Sequence, residues 1–412
     1  MSAIHKFVLP NGLRVIVQED FSTPLVVVNV LYNVGSRDEV PTQTGFAHLF
    51  EHFMFEGSVN IPEFDTPLEF AGGESNAFTT NDFTNYYEIL PAQNIDTALW
   101  LESDRMLSLA FEDESLNVQK RVVCEEFKEH YINQPYGDLW HKLSDLAYKV
   151  HPYRYPVIGQ ELSHIENAQM PEVKAFFKKY YVPNNAILVV CGGISQEETE
   201  QKIRHWFSEI PSNKIATKNI PQEPKQTEAR QLKVEADVPS NAIYKAYKMA
   251  GRLDESYASL DILRDHIAAS DSAVLYQDLV KEPRLMSSVT CYLTETIDEG
   301  LFVVEGKLLD GISFEEADKA IEMGIAKAIE TLDEATLQKL KNKFETFYHF
   351  QDTNLMNRAL NLAFFEMIGK AEDMFSEVKK YEALTLSQVK NAAKNVFVQT
   401  QCNTIFYAKK QQ

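Results

Sequence analysis

Two histidines and a glutamate occur within five consecutive residues, His48-Leu49-Phe50-Glu51-His52. If this stretch is helical, His48 and His52 at i and i+4 lie on one face, with Glu51 beside them. Two neutral imidazoles at that spacing can bind one Zn²⁺, while the carboxylate stands next to an open coordination position. The alternative interpretation is that both histidines are ordinary polar residues on a solvated helix face. The pattern H-x-x-E-H favours a zinc site with its own proton acceptor.

A hydrolytic zinc site needs a third protein ligand, because three ligands and a water molecule form the catalytic arrangement. The acidic, helical stretch at residues 121–127 offers two candidates, Glu125 and Glu126. Adjacent residues of a helix point in different directions, so only one of them can face the histidines. Residue type and spacing leave the choice between the two glutamates open.

The elements around the motif follow from changes in hydrophobic period. Apolar residues recur at helical spacing over residues 45–55, which predicts the helix that carries the motif. Before it, alternating residues around the Pro10-Asn11-Gly12 turn and the valine-rich stretch 25–34 predict strands. After it, Gly72-Gly73 leads into two strands over residues 76–91, and helices are expected over 94–110 and 114–133.

A similar order of elements begins again after a polar stretch without periodicity at about residues 208–231. Gly251-Arg252-Leu253-Asp254-Glu255 resembles the earlier Gly35-Ser36-Arg37-Asp38-Glu39, and each is followed by a helix. We therefore expect an α+β fold of two related domains, each a mostly antiparallel β-sheet packed with helices. The expected bounds are 1–210 for the zinc-binding domain, 211–235 for a linker, and 236–412 for a related domain without metal ligands.

Amino-acid composition and net charge exclude some classes of function. The chain has 412 residues, with 40 Lys and Arg against 60 Asp and Glu, a net charge of −20. This balance argues against binding to nucleic acid or to an anionic membrane surface. No apolar stretch near the N-terminus approaches the ~20 residues of a membrane span, and no secretory signal is seen. A cytoplasmic protein with four reduced cysteines is expected, or a periplasmic one if the N-terminus was trimmed.

Further motifs accompany the H-x-x-E-H run: Leu9-Pro10-Asn11-Gly12-Leu13-Arg14-Val15, Gly35-Ser36-Arg37-Asp38-Glu39, Phe55-Glu56-Gly57-Ser58, Gly72-Gly73-Glu74-Ser75-Asn76-Ala77-Phe78-Thr79 and Val122-Val123-Cys124-Glu125-Glu126. With them the chain resembles the pitrilysin and mitochondrial-processing-peptidase family of zinc metallopeptidases over essentially its whole length. The resemblance implies one Zn²⁺ per chain, held by His48, His52 and Glu126. It also implies that Glu51 is the general base for attack by a metal-activated water on a peptide bond.

The resemblance assigns further residues near the zinc site. The family often has a second glutamate seven residues before the third ligand, and here that position is Gln119, so a neutral amide replaces a carboxylate around the metal. Asn76, Ala77 and Phe78 lie in the segment that resembles the edge strand pairing with substrate backbone. The alternative for Asn76 is a simple cap between a turn and a strand.

The second half departs more from the family. In family members an arginine and a tyrosine of this half contact the substrate. Here Lys281 occupies the position of the arginine and Ser288 that of the tyrosine. Members enclose peptides between two two-domain halves, so this chain resembles one half of a clamshell. We expect an endopeptidase that forms a heterodimer with a related subunit supplying the arginine and tyrosine, or alternatively a homodimer. The competing interpretation is a non-catalytic zinc-binding core or scaffold subunit of such a complex.

Overall fold

The computed structural model describes residues 4–215 and 217–410, which form eleven β-strands and fourteen α-helices. The strands are β1 Ile4–Val8, β2 Arg14–Glu19, β3 Leu25–Tyr32, β4 Glu74–Thr79, β5 Thr84–Pro91, β6 Ala186–Gly192, β7 Arg230–Ala236, β8 Ala242–Met249, β9 Met286–Leu293, β10 Gly300–Leu308 and β11 Cys402–Lys409. The helices are α1 Phe46–Phe53, α2 Asp65–Phe70, α3 Ile95–Leu107, α4 Asp113–Phe127, α5 Leu139–Ala147, α6 Leu162–Glu166, α7 Met170–Tyr180, α8 Gln196–Phe207, α9 Tyr257–Ile267, α10 Phe314–Thr331, α11 Glu334–Asp352, α12 Leu355–Ile368, α13 Glu377–Glu382 and α14 Leu386–Val396.

The first of two contact units comprises the described residues of 1–128, 155–220 and 349–375. Its six strands lie in the order β1-β2-β6-β3-β5-β4, and all neighbours are antiparallel except β2 and β6. The central strand β6 is buried along its whole length, as its apolar sequence requires of a strand covered on both faces. β4 lies at the edge of the sheet, so its outer main-chain groups face no strand of this sheet.

The two faces of this sheet are covered by different helices. On one face, the Tyr86 hydroxyl of β5 donates to the Phe50 carbonyl of α1 at 3.4 Å. On the other face, α12 packs on β6 and β3 through its buried residues Ala359, Leu362 and Ala363. The sequence places α12 in the 236–412 domain, whereas in the structure residues 349–375 belong to the first unit.

The second unit comprises the described residues of 129–154, 221–348 and 376–412. Its strands lie in the order β7-β11-β8-β10-β9, and β7 and β11 are the parallel pair. Each sheet therefore has one parallel pair of strands. In each pair one strand, β6 or β11, comes from near the end of its half of the sequence. The predicted α+β fold, with two domains that each pack helices on a mostly antiparallel sheet, is confirmed.

A buried ion cluster lies in the first unit between β5 and α3. The Arg105 guanidinium bonds Glu102 and lies 3.2 Å from Oε1 of Glu88, and all three side chains are almost fully buried. The guanidinium carbon also lies 4.3 Å from the centre of the Phe64 ring. Burial, and then the neighbouring Glu102, raise the pKa of Glu88 well above its ordinary value. The single cation thus neutralises one of two carboxyl groups that water does not reach.

Two further expectations concern the whole described chain. All four cysteines, Cys124, Cys191, Cys291 and Cys402, are buried and unpaired, as predicted. Within residues 4–215 and 217–410, none of the helices combines the length and the apolar character that crossing a bilayer demands. The helix expected over 114–133 is shorter, because α4 ends at Phe127 and a π-helical turn, Lys128–Ile132, follows.

Candidate functional site

The start of α1, the helix that carries the histidines, is determined by Gly45 and Glu39. Gly45, the residue before α1, has φ of +88°, a left-handed conformation that side chains with a Cβ rarely adopt. The two carboxyl oxygens of Glu39 accept hydrogen bonds from the N–H groups of Gly45 and Ala47, each at 2.7 Å, and so Glu39 acts as the N-terminal cap. Burial raises the pKa of Glu39 to about 8, although these donors act against the shift. The sequence singled out the motif that ends at Glu39 but not its capping role, since Glu39 lies seven residues before the helix.

The structure brings His48, His52 and Glu126 together. Nε2 of His52 lies 3.3 Å from Oε2 of Glu126, and Nε2 of His48 lies 3.8 Å from the same oxygen. One potential ligand atom from each residue falls within 4.8 Å of the other two. The packing of α1 against α4 produces this convergence of residues 74 positions apart. Of the two adjacent glutamates, Glu125 points away and pairs with Lys128 at 2.7 Å.

This group of donors fits one Zn²⁺. Two histidine nitrogens and a carboxylate oxygen are a known catalytic donor set for zinc, and ligand atoms around a tetrahedral ion lie about 3.3 Å apart. Burial, with a smaller effect of His52, lowers the pKa of His48 to about 3, so its ring is neutral, as a ligand must be. Nδ1 of His48 is buried and has no hydrogen-bond partner in the described part of the chain. Because one oxygen of Glu126 lies close to Nε2 of both histidines, the three donors surround a space that suits one ion.

Glu51 stands beside the ligands and is held by strand β4. The Thr79 hydroxyl donates a hydrogen bond to Oε2 of Glu51 at 2.7 Å. Burial raises the pKa of Glu51, and the Thr79 hydrogen bond acts against that shift. A partly buried carboxylate with a raised pKa is suited to take up a proton near neutral pH. The role of Thr79 was missed, although it ends the Asn76–Thr79 run that the family resemblance singles out.

Gln119 lies two turns before Glu126 on α4 and bonds a residue outside that helix. Its side-chain amide donates to the carboxylate of Glu56, which follows the end of α1. Oε1 of Gln119 is buried without a partner among the described residues. The structure therefore gives Gln119 a bridging contact between the two ligand-bearing segments. The Phe55–Ser58 motif includes Glu56, but its contact with Gln119 was not predicted, because a contact across 63 positions leaves no local signal.

The three substrate-binding candidates lie in the edge strand but point to both of its faces. Side chains alternate along a strand, so Ala77 shares the face of Thr79, which is directed at α1. Asn76 and Phe78 face the opposite side, where Phe78 packs 5.8 Å from the Phe83 ring. The Asn76 side chain also accepts a hydrogen bond from the N–H of Ala77 at 2.8 Å. The unpaired main chain of β4 is the feature that these residues share.

In the second unit, Lys281 and Ser288 occupy separate elements. Lys281 ends a π-helical segment, Tyr276–Lys281, with its ammonium 5.8 Å from the centre of the Tyr276 ring. Ser288 is an exposed residue of strand β9. Neither residue carries a guanidinium or a phenol, so neither can form the bidentate contact or supply the phenolic donor.

Two family models match successive parts of the chain. Residues 14–161 match a model described as insulinase, peptidase family M16. Residues 167–344 match a model described as the peptidase M16 inactive domain. Both models describe the same peptidase family, and the two matches together span most of the chain, with the zinc-site residues inside the first.

Individual proteins that resemble this chain belong to the same class of peptidases. The zinc protease PqqE of Helicobacter pylori is 28% identical over 407 residues, which cover 97% of this chain and 91% of that protein. A probable mitochondrial-processing peptidase subunit beta of Arabidopsis thaliana is 22% identical over 404 residues, covering 93% and 75%. The crystal structure of a protease from Helicobacter pylori superposes with a TM-score of 0.92 at 28% identity, covering 98% of this chain and 99% of that one. The resemblance inferred from the motifs is confirmed.

Proposed function

We propose, from the premise that this chain belongs to peptidase family M16, that it is a zinc-dependent endopeptidase acting on peptides or oligopeptides. The observation that carries the proposal is the convergence of His48, His52 and Glu126 beside Glu51. A purely structural zinc site is closed by four protein ligands, whereas these three leave a position for water or substrate. The relatives named as zinc proteases support the same activity.

The mechanism follows from how these side chains are held. His48, His52 and Glu126 would hold the ion, which when bound supplies the Lewis acidity that activates water and polarises a peptide carbonyl. Glu51 accepts the proton that the attacking water loses and passes it to the leaving amine. The Thr79 hydroxyl fixes one oxygen of Glu51, which leaves the other oxygen to handle the proton. Strand β4 orients the peptide by pairing with its main chain.

We propose in addition that the chamber for the peptide forms with a related partner subunit. The substitution of Lys281 and Ser288 for an arginine and a tyrosine supports a heterodimer in which the partner supplies both groups. The Arabidopsis relative is named as a subunit, which is consistent with a multi-subunit enzyme. A homodimer is the alternative assembly. The four unpaired cysteines support a cytoplasmic location as part of this proposal.

A second candidate function is a non-catalytic zinc-binding scaffold subunit. The observation favouring it is that residues 167–344 match a model described as an inactive domain. That model covers the half without metal ligands, whereas the candidate ligands and the base lie in the half that matches the insulinase model. The presence of Glu51, which a scaffold does not need, favours the enzyme.

Replacement of the base tests the activity directly. Glu51→Gln is expected to retain zinc and lose nearly all hydrolysis of a quenched-fluorescence peptide, because the amide cannot take a proton. Glu114→Gln, an exposed residue of α4, serves as the matched control and should hydrolyse normally. Hydrolysis by Glu51→Gln at the wild-type rate would refute the assignment of the base. Full activity of the wild-type chain as a monomer would refute the need for a partner.

A further inference from the structure

A cavity of about 610 Å³ lies in the first unit beside the N-terminal half of strand β4. Its wall includes one side of β3, β5 and β4, together with the N-terminal end of α12. Apart from Ser75, the residues that line it from the strands alternate along each strand, which places them on one face of the sheet: Leu25, Val27, Glu74, Asn76, Tyr87 and Ile89. We call this space the Glu74 cavity.

The Glu74 cavity and the zinc ligands lie on opposite faces of the same edge strand. The Thr79 side chain is directed at Glu51, so Ala77 and Thr79 of β4 face the metal side. Glu74 and Asn76 have the opposite parity and line the cavity. A peptide that pairs with β4 therefore presents alternate side chains to the zinc face and to the Glu74 cavity.

Charge and polarity define which side chain the Glu74 cavity can accept. Arg358 of α12 already bonds Asp20, and this contact lowers the pKa of the Asp20 carboxyl to about 2. Glu74 is exposed and makes no side-chain hydrogen bond or ion pair with any residue that the structure describes. Burial, with a smaller effect of Glu74, raises the pKa of the Tyr87 hydroxyl on the floor of the cavity. The one uncompensated charge in this space is therefore negative.

The floor of the cavity is largely apolar. Val27 is buried and Ile89 is half-buried. In the strand register Ile89 pairs with Val27 on one side and Glu74 on the other, and Tyr87 pairs with Asn76. An apolar floor with an anionic rim suits a long alkyl stem that ends in a cation, which is the form of lysine and arginine side chains. An acidic side chain would meet the charge of Glu74, and Arg358 is already paired with Asp20.

We infer that the Glu74 cavity is a specificity subsite that binds a lysine or arginine side chain of the substrate peptide. The inference rests on the proposed function, because it takes a peptide paired with β4 as the ligand. Glu74 and Asn76 lie five and three residues before Thr79, about 17 and 10 Å along the strand. The basic side chain therefore belongs three or five positions from the peptide residue that lies opposite Thr79.

A peptide scan tests the subsite. Ten-residue quenched-fluorescence peptides with alanine backgrounds carry one lysine at each position in turn, and kcat/KM is compared with the all-alanine peptide. Because Thr79 bonds Glu51, the peptide residue opposite Thr79 lies at the cleaved bond, and we expect about a tenfold preference for lysine either three or five residues from it. Glu74→Gln should reduce that ratio to less than twofold, and Glu74→Lys should reverse it in favour of glutamate. Glu69→Gln, an exposed acid outside the cavity, should retain the wild-type ratio.

Binding separates this inference from the proposed function. The same peptides are titrated by fluorescence anisotropy into Glu51→Gln, alone and combined with Glu74→Gln. If no peptide is cut but lysine still raises affinity in a Glu74-dependent way, the subsite stands and the peptidase activity is refuted. If peptides are cut or bound without a lysine preference, or if the preference survives Glu74→Gln, the subsite is refuted.

Discussion

Gly45→Ala is expected to weaken both the first unit and its metal site. Gly45 has φ of +88°, and a Cβ added there would lie 2.6 Å from the backbone oxygen of Ile158 and 2.8 Å from Cδ1 of Ile165. The left-handed conformation costs about 1–2 kcal/mol for a residue with a Cβ. A clash against backbone adds about 1–3 kcal/mol, because a carbonyl oxygen cannot turn aside as a flexible side chain can. The sum is about 2–5 kcal/mol of lost unfolding free energy.

Gly72→Ala is the matched control in the same unit. Gly72 has φ of +73°, but its added Cβ meets only ring atoms of Pro91 at 3.6 and 3.7 Å, which is ordinary contact. This variant should therefore lose only the conformational part, about 1–2 kcal/mol. Native-state hydrogen exchange of peptides that cover α1 measures the local loss, and competition with a chromophoric chelator measures zinc affinity. Because α1 carries two ligands, only Gly45→Ala should weaken zinc binding.

Equal exchange rates in α1 for the Gly45 and Gly72 variants would refute this reasoning. That result would mean that the backbone around Ile158 moves to accommodate the added methyl group with no loss of unfolding free energy. Unchanged zinc affinity in a destabilised Gly45→Ala would separately show that the ligand geometry does not depend on where α1 begins.

Substitutions at three other residues are expected to change activity or stability. Thr79→Val should lower kcat about 10-fold with zinc retained, because a hydrogen bond to a charged group contributes about 1.5–3 kcal/mol. Thr79→Ser should keep most of the activity. If Thr79→Val hydrolyses peptides at the wild-type rate, Thr79 has no part in the mechanism. Because the pKa of Glu39 is raised to about 8 in the folded state, its contribution to stability is fully present below pH 4.5 and is lost as pH rises through about 8. Urea unfolding across that range should therefore show wild type losing about 2–4 kcal/mol of unfolding free energy relative to Glu39→Gln. The same pH dependence of unfolding free energy in both proteins would contradict this. Arg105→Met should cost about 3–5 kcal/mol by leaving its two buried carboxyl partners unpaired, and a loss below 1 kcal/mol would show that water reaches them.

The sequence predicted what depends on local pattern. Helical spacing placed α1 within two residues of its observed ends, because its apolar side is buried as the period requires. The choice between Glu125 and Glu126 needed the family resemblance, since which one faces the histidines depends on how α4 is rotated against α1. The structure directs Glu126 to the histidines and Glu125 to solvent.

Contacts between distant residues could not be predicted. The hydrogen bond of Thr79 to Glu51 and that of Gln119 to Glu56 each join separate elements, and single residue types do not encode such pairs. The placement of α12 was missed for a related reason. Its amphipathic pattern predicts a helix that covers a sheet, but the pattern does not specify which of the two sheets it covers.

The metal content of two adjacent variants tests the central claim most directly. Purified wild-type protein, Glu126→Gln and Glu125→Gln are dialysed against limiting zinc and their zinc per chain is measured by elemental analysis. We predict one zinc for wild type and for Glu125→Gln, and a large loss for Glu126→Gln, because only Glu126 shares its oxygen with both histidines. One zinc retained in Glu126→Gln under the same conditions would contradict the proposed metal site.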